Sequence, residues 1–348
     1  MSPHRRRLLP HLLLALAALL SGLILAACGG GSDDEATTTK GTAAPGATDA
    51  FPAKVTHKYG TTTVPKAPER VVAVGYNDQD FALALGVVPV GARQFQAGID
   101  ITRRPWAQAS LKGARPELVG AEELNLERIA SLRPDLILGI YSGMTKDEYD
   151  RLSQIAPTVA QTADHVDFGV PWPEQARATG QALGRTARAK EVVADVEADL
   201  AEAKGVEDFS DRTLVLASGG KEFSAFASAD LRTRLFTSLG FTTPKAIDDL
   251  AGKQFYASIS QERLDLLDAD VLVIYGKQAE LERQPAFAAL DVVKEGRVVY
   301  LDESGDLANA LGFSSPLSIP YAVERFLPQL RAAADGDPAT KVPAAAAR

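Results

Sequence analysis

Two stretches far apart in the chain carry the same short unit. "NLERIASLRPDLILG" (residues 125–139) and "SQERLDLLDADVLVIY" (residues 260–275) overlay without a gap. Glu127 falls on Glu262, Arg128 on Arg263, Leu132 on Leu267 and Asp135 on Asp270, each pair 135 positions apart. Each copy reads as a short helix with a glutamate in its first turn, followed by a buried strand. Asn125 is placed to cap the first copy. Asp135 and Asp270 stand between helix and strand, where a carboxylate can satisfy nearby backbone N–H groups, and read as structural.

The repeat sits at the corresponding place in two strand–helix alternations. In the first, "RVVAVG" (70–75), "VVPVGA", "DLILGI" and "TVAQ" are strands, with helices at "NDQDFALALG" and "TKDEYDRLSQIA". In the second, "TLVLA" (213–217), the repeat strand and "RVVYL" alternate with "ADLRTRLFTSLG" (229–240), "AELERQPAFAAL" and a last helix from about 315 to 331. Between them, residues 174–204 contain no proline, and Val192, Val193, Val196 and Leu200 share one helical face. Unbroken, these residues would make a helix roughly 45 Å long, with Gly180 and Gly184 as its weak points. The fold class expected is α/β: two similar α/β lobes with mostly parallel sheets, joined by one long α-helix, with a ligand cleft between the lobes.

The ends read differently. Residues 1–27 carry Arg5, Arg6 and Arg7, then an apolar run and small residues, the order of a signal peptide. "LAAC" (25–28) resembles a bacterial lipobox, which makes Cys28 a lipidation site; an ordinary cleaved signal with an incidental cysteine is the plainer alternative. As the only cysteine, Cys28 has no internal disulfide partner. Residues 28–67 are expected as a lipid-anchored flexible tether, since "GGGSDDEATTTKGTAAPGATDAF" has few large apolar groups to bury. The lobes then span 68–173 and 205–332, with 333–348 a disordered tail. Removing the three signal arginines takes the formal charge from −8 to about −11, which disfavours nucleic acid and anionic membrane as partners.

The segments "RVVAVGYNDQDFALALGVVPVGA", "NLERIASLRPDLILG", "YDRLSQIAPTV", "ISQERLDLLDADVLVIYG" and "ALDVVKEGRVVYLD" together resemble the substrate-binding proteins of bacterial ABC importers for ferric siderophores. That group also includes cobalamin and haem binders. The resemblance covers about residues 68–331. It implies a protein exported and lipid-anchored to the outer face of the cytoplasmic membrane. It also implies a monomer that captures a ferric siderophore and delivers it to a permease dimer. Glu127 and Glu262 match the exposed glutamates with which the family docks onto permease arginines, one per subunit. The plain alternative is that a first-turn carboxylate is favoured by the helix dipole, by about 0.3–1 kcal/mol.

A ferric siderophore needs arginines for charge and aromatic faces for its apolar rim, but no direct iron ligand from the protein. Only His57 and His165 lie beyond the signal segment, whereas a binder of bare zinc or manganese would supply several His and carboxylates. No cofactor and no metal site are expected. Loops at strand ends supply the first-lobe candidates Tyr76, Arg93, Arg104, Trp106 and Tyr141. Trp106 serves either there or as packing beneath a long loop, and only one of Arg103 and Arg104 should reach the cleft. The second lobe offers Phe226, Arg232 (preferred to Arg234, which lies on another helix face) and Tyr256. Tyr275 is either cleft or core, and Trp172 at least as much packing as ligand contact. An exported hydrolase is the rival from another class, but there is no "GxSxG" elbow, no "GxGxxG" after a strand and no "GxxxxGK[ST]" loop. His165 beside Asp reads as a surface residue. A helical connector is stiff, so a small lobe movement on ligand binding is expected.

Overall fold

A computed structural model describes residues 49–94 and 100–344. The signal segment, Cys28 and the glycine-rich stretch after it lie outside the described residues. The tether does not extend to residue 67, however. From Ala53 to Val64 the chain forms an antiparallel hairpin of β1 (Ala53–His57) and β2 (Gly60–Val64). Ala53, Val55, His57, Thr62 and Val64 alternate inward, the two-residue period of a half-buried strand pair. Read for composition alone, this stretch hides that period behind its threonines.

The first lobe has the expected parallel sheet. It contains β3 (Val71–Ala73), α1 (Asp78–Ala84), β4 (Gly91–Ala92), β5 (Glu117–Leu118), α2 (Leu126–Ser131), β6 (Leu136–Gly139), α3 (Lys146–Ser153) and β7 (Thr158–Ala160). The strands lie in the order β5-β4-β3-β6-β7, all parallel. Every side chain of β3, β6 and β7 is buried, as strands covered on both faces require.

The connector is two helices, not one rod. α4 (Trp172–Leu183) ends where Gly184 turns left-handed at φ +64°, and α5 (Thr186–Val206) begins beyond it. The Arg185 N–H donates to Gly180 O at 2.7 Å and Gly184 N–H to Gln181 O at 3.3 Å, the pair of bonds that closes a helix around a left-handed glycine. Gly180 lets the helices touch, because a Cβ there would stand 2.5 Å from that of Ala189. The Asp49 carboxylate accepts the Thr186 N–H at 3.0 Å and starts the second helix. The 21 residues of α5 make a rod of about 30 Å.

The second lobe contains β8 (Leu214–Ser218), β9 (Phe223–Phe226), α6 (Leu231–Ser238), β10 (Tyr256–Ile259), β11 (Val271–Tyr275), β12 (Val298–Leu301), α7 (Asp306–Phe313) and α8 (Ser318–Ala334). Its sheet runs β10-β9-β8-β11-β12 and is mixed rather than mostly parallel. β8, β11 and β12 are parallel, while β9 runs antiparallel to β8 and β10 to β9. Only residues 219–222 separate β8 from β9, too few for the crossover that a parallel return needs.

The repeat takes the same place in both lobes, although its first helix is an α-helix capped by Asn125 and its second, Gln261–Leu267, a 3₁₀ helix kinked at Arg263. Asp135 accepts the N–H of Arg70 at 2.8 Å and of Glu69 at 2.9 Å; Asp270 accepts the N–H of Thr213 at 2.8 Å. Each carboxylate pins the chain entering the neighbouring strand, β3 or β8. One hydrophobic cluster joins Phe81, Trp106 and Tyr141 of the first lobe to Phe236, Phe313 and Phe326 beyond the connector. Tail residue Val342 also packs on this cluster, so the chain stays attached past residue 333.

Candidate functional site

In open α/β sheets, ligands sit beyond the carboxyl ends of the parallel strands. Tyr76 follows β3, Tyr141 follows β6, and Ser218 and Tyr275 close β8 and β11 side by side in register. The Tyr76 N–H donates to Tyr141 O at 3.0 Å, which ties the two first-lobe loops together. Beneath them Asp78, fully buried, accepts the Tyr141 N–H at 3.3 Å. Burial pushes this carboxyl up to about 7, against the lowering effect of the Tyr141, Ile140 and Gly75 N–H groups. Position 75 must be glycine, because a Cβ would lie 2.1 Å from Asp78 Oδ2.

Arg93 completes this wall. Its guanidinium lies 4.0 Å from the Tyr76 ring centre. It donates to the Tyr76 hydroxyl at 2.8 Å and to the carbonyls of Ala121 and Glu122, both at 2.6 Å.

The opposite wall is built on the start of α6. Asp230, fully buried, accepts the Arg232 N–H and caps the helix. It also grips the Arg232 side chain with two bonds of 2.9 Å. Phe226 covers the guanidinium face at 3.8 Å, and Tyr275 meets Phe226 edge-on at 6.3 Å. Burial opposes the Arg232 charge, but the Asp230 carboxylate outweighs it and raises the pKa. Burial pushes the Tyr275 phenol up to about 12, with Arg232 pulling the other way. Phe226, Arg232, Tyr275 and Glu303 line a cavity of about 150 Å³.

Phe168 spans the two walls. Its ring lies 5.3 Å from Tyr141, 6.1 Å from Tyr76 and 5.8 Å from Phe255 of the second lobe. The Phe168 backbone is left-handed, at φ +63°. Strain of about 1–3 kcal/mol in a non-glycine residue persists where the surroundings hold it, commonly at ligand clamps. Burial, then the Asp230 carboxylate, raises the Tyr141 phenol while Arg232 lowers it, so the charges of one lobe reach the other.

The structure thus gathers Tyr76, Arg93 and Tyr141 at the strand ends of the first lobe and Phe226, Arg232 and Tyr275 at those of the second, with Tyr141 within electrostatic reach of Arg232 and Tyr275. It withdraws Arg104 and Trp106. Arg104 Nη1 pairs with buried Asp80 at 2.5 Å, and Trp106 Nε1 donates to the same carboxylate at 2.7 Å. Ser315 Oγ donates to Asp80 at 2.9 Å, and the Trp106 ring packs on Phe313 and Tyr321. The two residues therefore serve a buried polar knot that ties α1 to the entry of α8. Trp172 lies in the main core, Arg234 donates to Ala229 O, and exposed Arg103 pairs with Asp100. Tyr256 is 39 % exposed at the outer strand of the sheet; it stands opposite Phe226 in the β10–β9 pair, and its ring meets Phe255 at 4.9 Å.

Sequence reasoning missed Phe168, Phe255, Asp230 and Glu303. Asp230 had a signal, an N-cap aspartate two residues before an arginine. Phe168 had none, because nothing in "HVDFGV" announces a left-handed backbone. Glu127 and Glu262 are both exposed in the first turn of their helices, and neither takes an ion pair among the described residues. Among those residues no group of three or more His, Cys, Asp or Glu is placed to hold a metal ion.

Residues 71–304 match the family model described as periplasmic binding protein, and the chain belongs to that family. It is similar to a probable siderophore-binding lipoprotein of Bacillus subtilis, YfiY, with 30% identity over 237 residues, 65% of this chain and 69% of the relative. Among solved structures, PiaA of Streptococcus pneumoniae in complex with ferrichrome is 28% identical with a TM-score of 0.74, covering 82% of this chain and 99% of that one. A periplasmic solute binding protein of Mycobacterium smegmatis is 33% identical with a TM-score of 0.71, covering 80% and 97%.

Proposed function

We propose that the protein is the substrate-binding component of an ABC importer, which captures a ferric siderophore between its lobes and delivers it to a membrane permease for iron uptake. The observation that carries this reading is the cleft at the strand ends. Five aromatic rings and two arginines meet there, in a chain whose relatives are named for siderophores. Aromatic faces suit the organic shell of a chelate, and a chelate that fills its own coordination sphere needs no iron ligand from the protein. The same residues provide no nucleophile–base pair, and we read the protein as a binder, not an enzyme.

Lipid on Cys28 would hold the protein at the outer face of the cytoplasmic membrane. Glu127 and Glu262, exposed at matching places in the repeat, would each meet one permease subunit, since a pseudo-twofold protein suits a two-subunit partner. Titration of the full chain in detergent with ferric siderophores, their iron-free forms, haem and cobalamin tests the reading. Submicromolar binding of a ferric siderophore, with the iron-free form at least tenfold weaker, is the expected result. Binding of haem or cobalamin alone would keep the fold and discard the ligand.

A further inference from the structure

Resting on that reading, we infer that the cleft selects ferric chelates of no net negative charge, uncharged or cationic trihydroxamates, and rejects trianionic catecholates. Asp230 and Glu303 are the residues that set this choice.

The arginines first suggest an anion site, but the charge of Arg232 is already balanced by Asp230. Nε and Nη2 of Arg232 bond the Asp230 carboxylate at 2.9 Å each, and Phe226 covers the guanidinium face at 3.8 Å. Asp230 is 0 % exposed, so an anion that drew Arg232 away would leave a buried carboxylate unpaired. Glu303 lines the same cavity, is exposed and takes no ion pair among the described residues. One cation and two carboxylates therefore leave the second wall with a net negative charge.

The first wall contributes Arg93, whose donors go to two backbone carbonyls and the Tyr76 hydroxyl. Arg104 is cancelled by Asp80. Residues 95–99, Phe-Gln-Ala-Gly-Ile, add no charge wherever they lie. The two walls together come close to neutral, inside a chain of net charge −8.

Three catecholates on ferric iron leave a complex of charge −3, and a nearly neutral cleft supplies no charge to offset the hydration such an anion loses on entering. Three hydroxamates, each a monoanion, leave it uncharged. A protonated amine on the hydroxamate's backbone makes it +1 and gives Glu303 a partner. The rings of Tyr76, Tyr141, Phe168, Phe226 and Tyr275 then meet the aliphatic linkers of the chelate.

The test is competition among ferrichrome (uncharged), ferrioxamine B (cationic), ferric enterobactin (−3) and ferric citrate, on the full chain in detergent. Both hydroxamates should bind about a hundredfold or more tighter than either anion. An anionic chelate binding as tightly as the hydroxamates would overturn this inference while leaving siderophore capture intact. No binding by any of the four, in a folded sample, would overturn both. Asp230→Asn releases the Arg232 fork and should tighten ferric enterobactin by about tenfold. Glu303→Gln, at an exposed position that folding does not need, should cost ferrioxamine B about fivefold more than ferrichrome. Equal losses for the two hydroxamates would remove Glu303 from the argument.

Discussion

Both lobes place an arginine against an aromatic ring at the cleft, yet they hold it by different means. Arg93 of the first lobe is fixed by backbone carbonyls and a tyrosine hydroxyl, so it keeps its charge uncancelled. Arg232 of the second is fixed by a buried carboxylate, so its charge is spent. The lobes agree elsewhere: Asp135 and Asp270 receive equivalent backbone N–H groups, and Glu127 and Glu262 stand equally exposed. The scaffold and the outer surface repeat, while the ligand walls diverge. The proposed docking on a two-subunit partner would ask for equivalent surfaces from the two lobes, whereas an asymmetric ligand would ask for different walls.

Substitutions can break or sharpen that contrast. Arg104→Ala should do the most damage to folding, about 3–5 kcal/mol by denaturant titration, because it leaves Asp80 buried and unpaired. If Arg104 served the ligand instead, affinity would fall and stability would hold.

Asp78 sharpens the contrast from below the first wall. Its folded pKa of about 7 lies above the usual carboxylate value of 3.8, so the folded state holds a proton that the unfolded state has released between those limits. Stability should therefore fall as pH rises from about 4 to about 7, by an amount on the order of 4 kcal/mol at most. Asp78→Asn should flatten that slope; denaturation at pH 5 and pH 8 reads it, and an unchanged slope would place the titration elsewhere.

Phe168→Ala removes the ring shared by the two walls. It should weaken the ligand by roughly 1–1.5 kcal/mol, near tenfold, by isothermal titration. Glu127→Ala and Glu262→Ala should each cost under about 1 kcal/mol of stability, the scale of a first-turn carboxylate. Ligand affinity should stay as it was, while each substitution lowers iron uptake by cells. Loss of uptake from one substitution alone would mean that the repeat is not used symmetrically.

The repeat was legible because its pattern is local. A first-turn glutamate, an aspartate before a strand and a run of β-branched residues all act within a few positions. The positions of Tyr76, Tyr141 and Arg232 at strand ends and a helix start were legible by the same means, since such ends can be located from pattern. The hairpin from Ala53 to Val64 was hidden by its polar composition, and β9 by its four-residue connection to β8. Arg104 and Trp106 misled for a different reason. A long irregular loop reads the same whether it lines a cleft or folds its arginine onto a carboxylate of another helix.

The sequence by itself determined two lobes of one plan, the place of the cleft at the strand ends and the matching glutamates, because each follows from period, capping and spacing. Only the tertiary structure decided which arginine is held by carbonyls, which is cancelled by a carboxylate and which ring bridges the cleft. Those depend on partners far apart in the chain, Asp80 with Ser315 and Phe168 with Phe255, and the sign of a site's charge is the sum over such pairs.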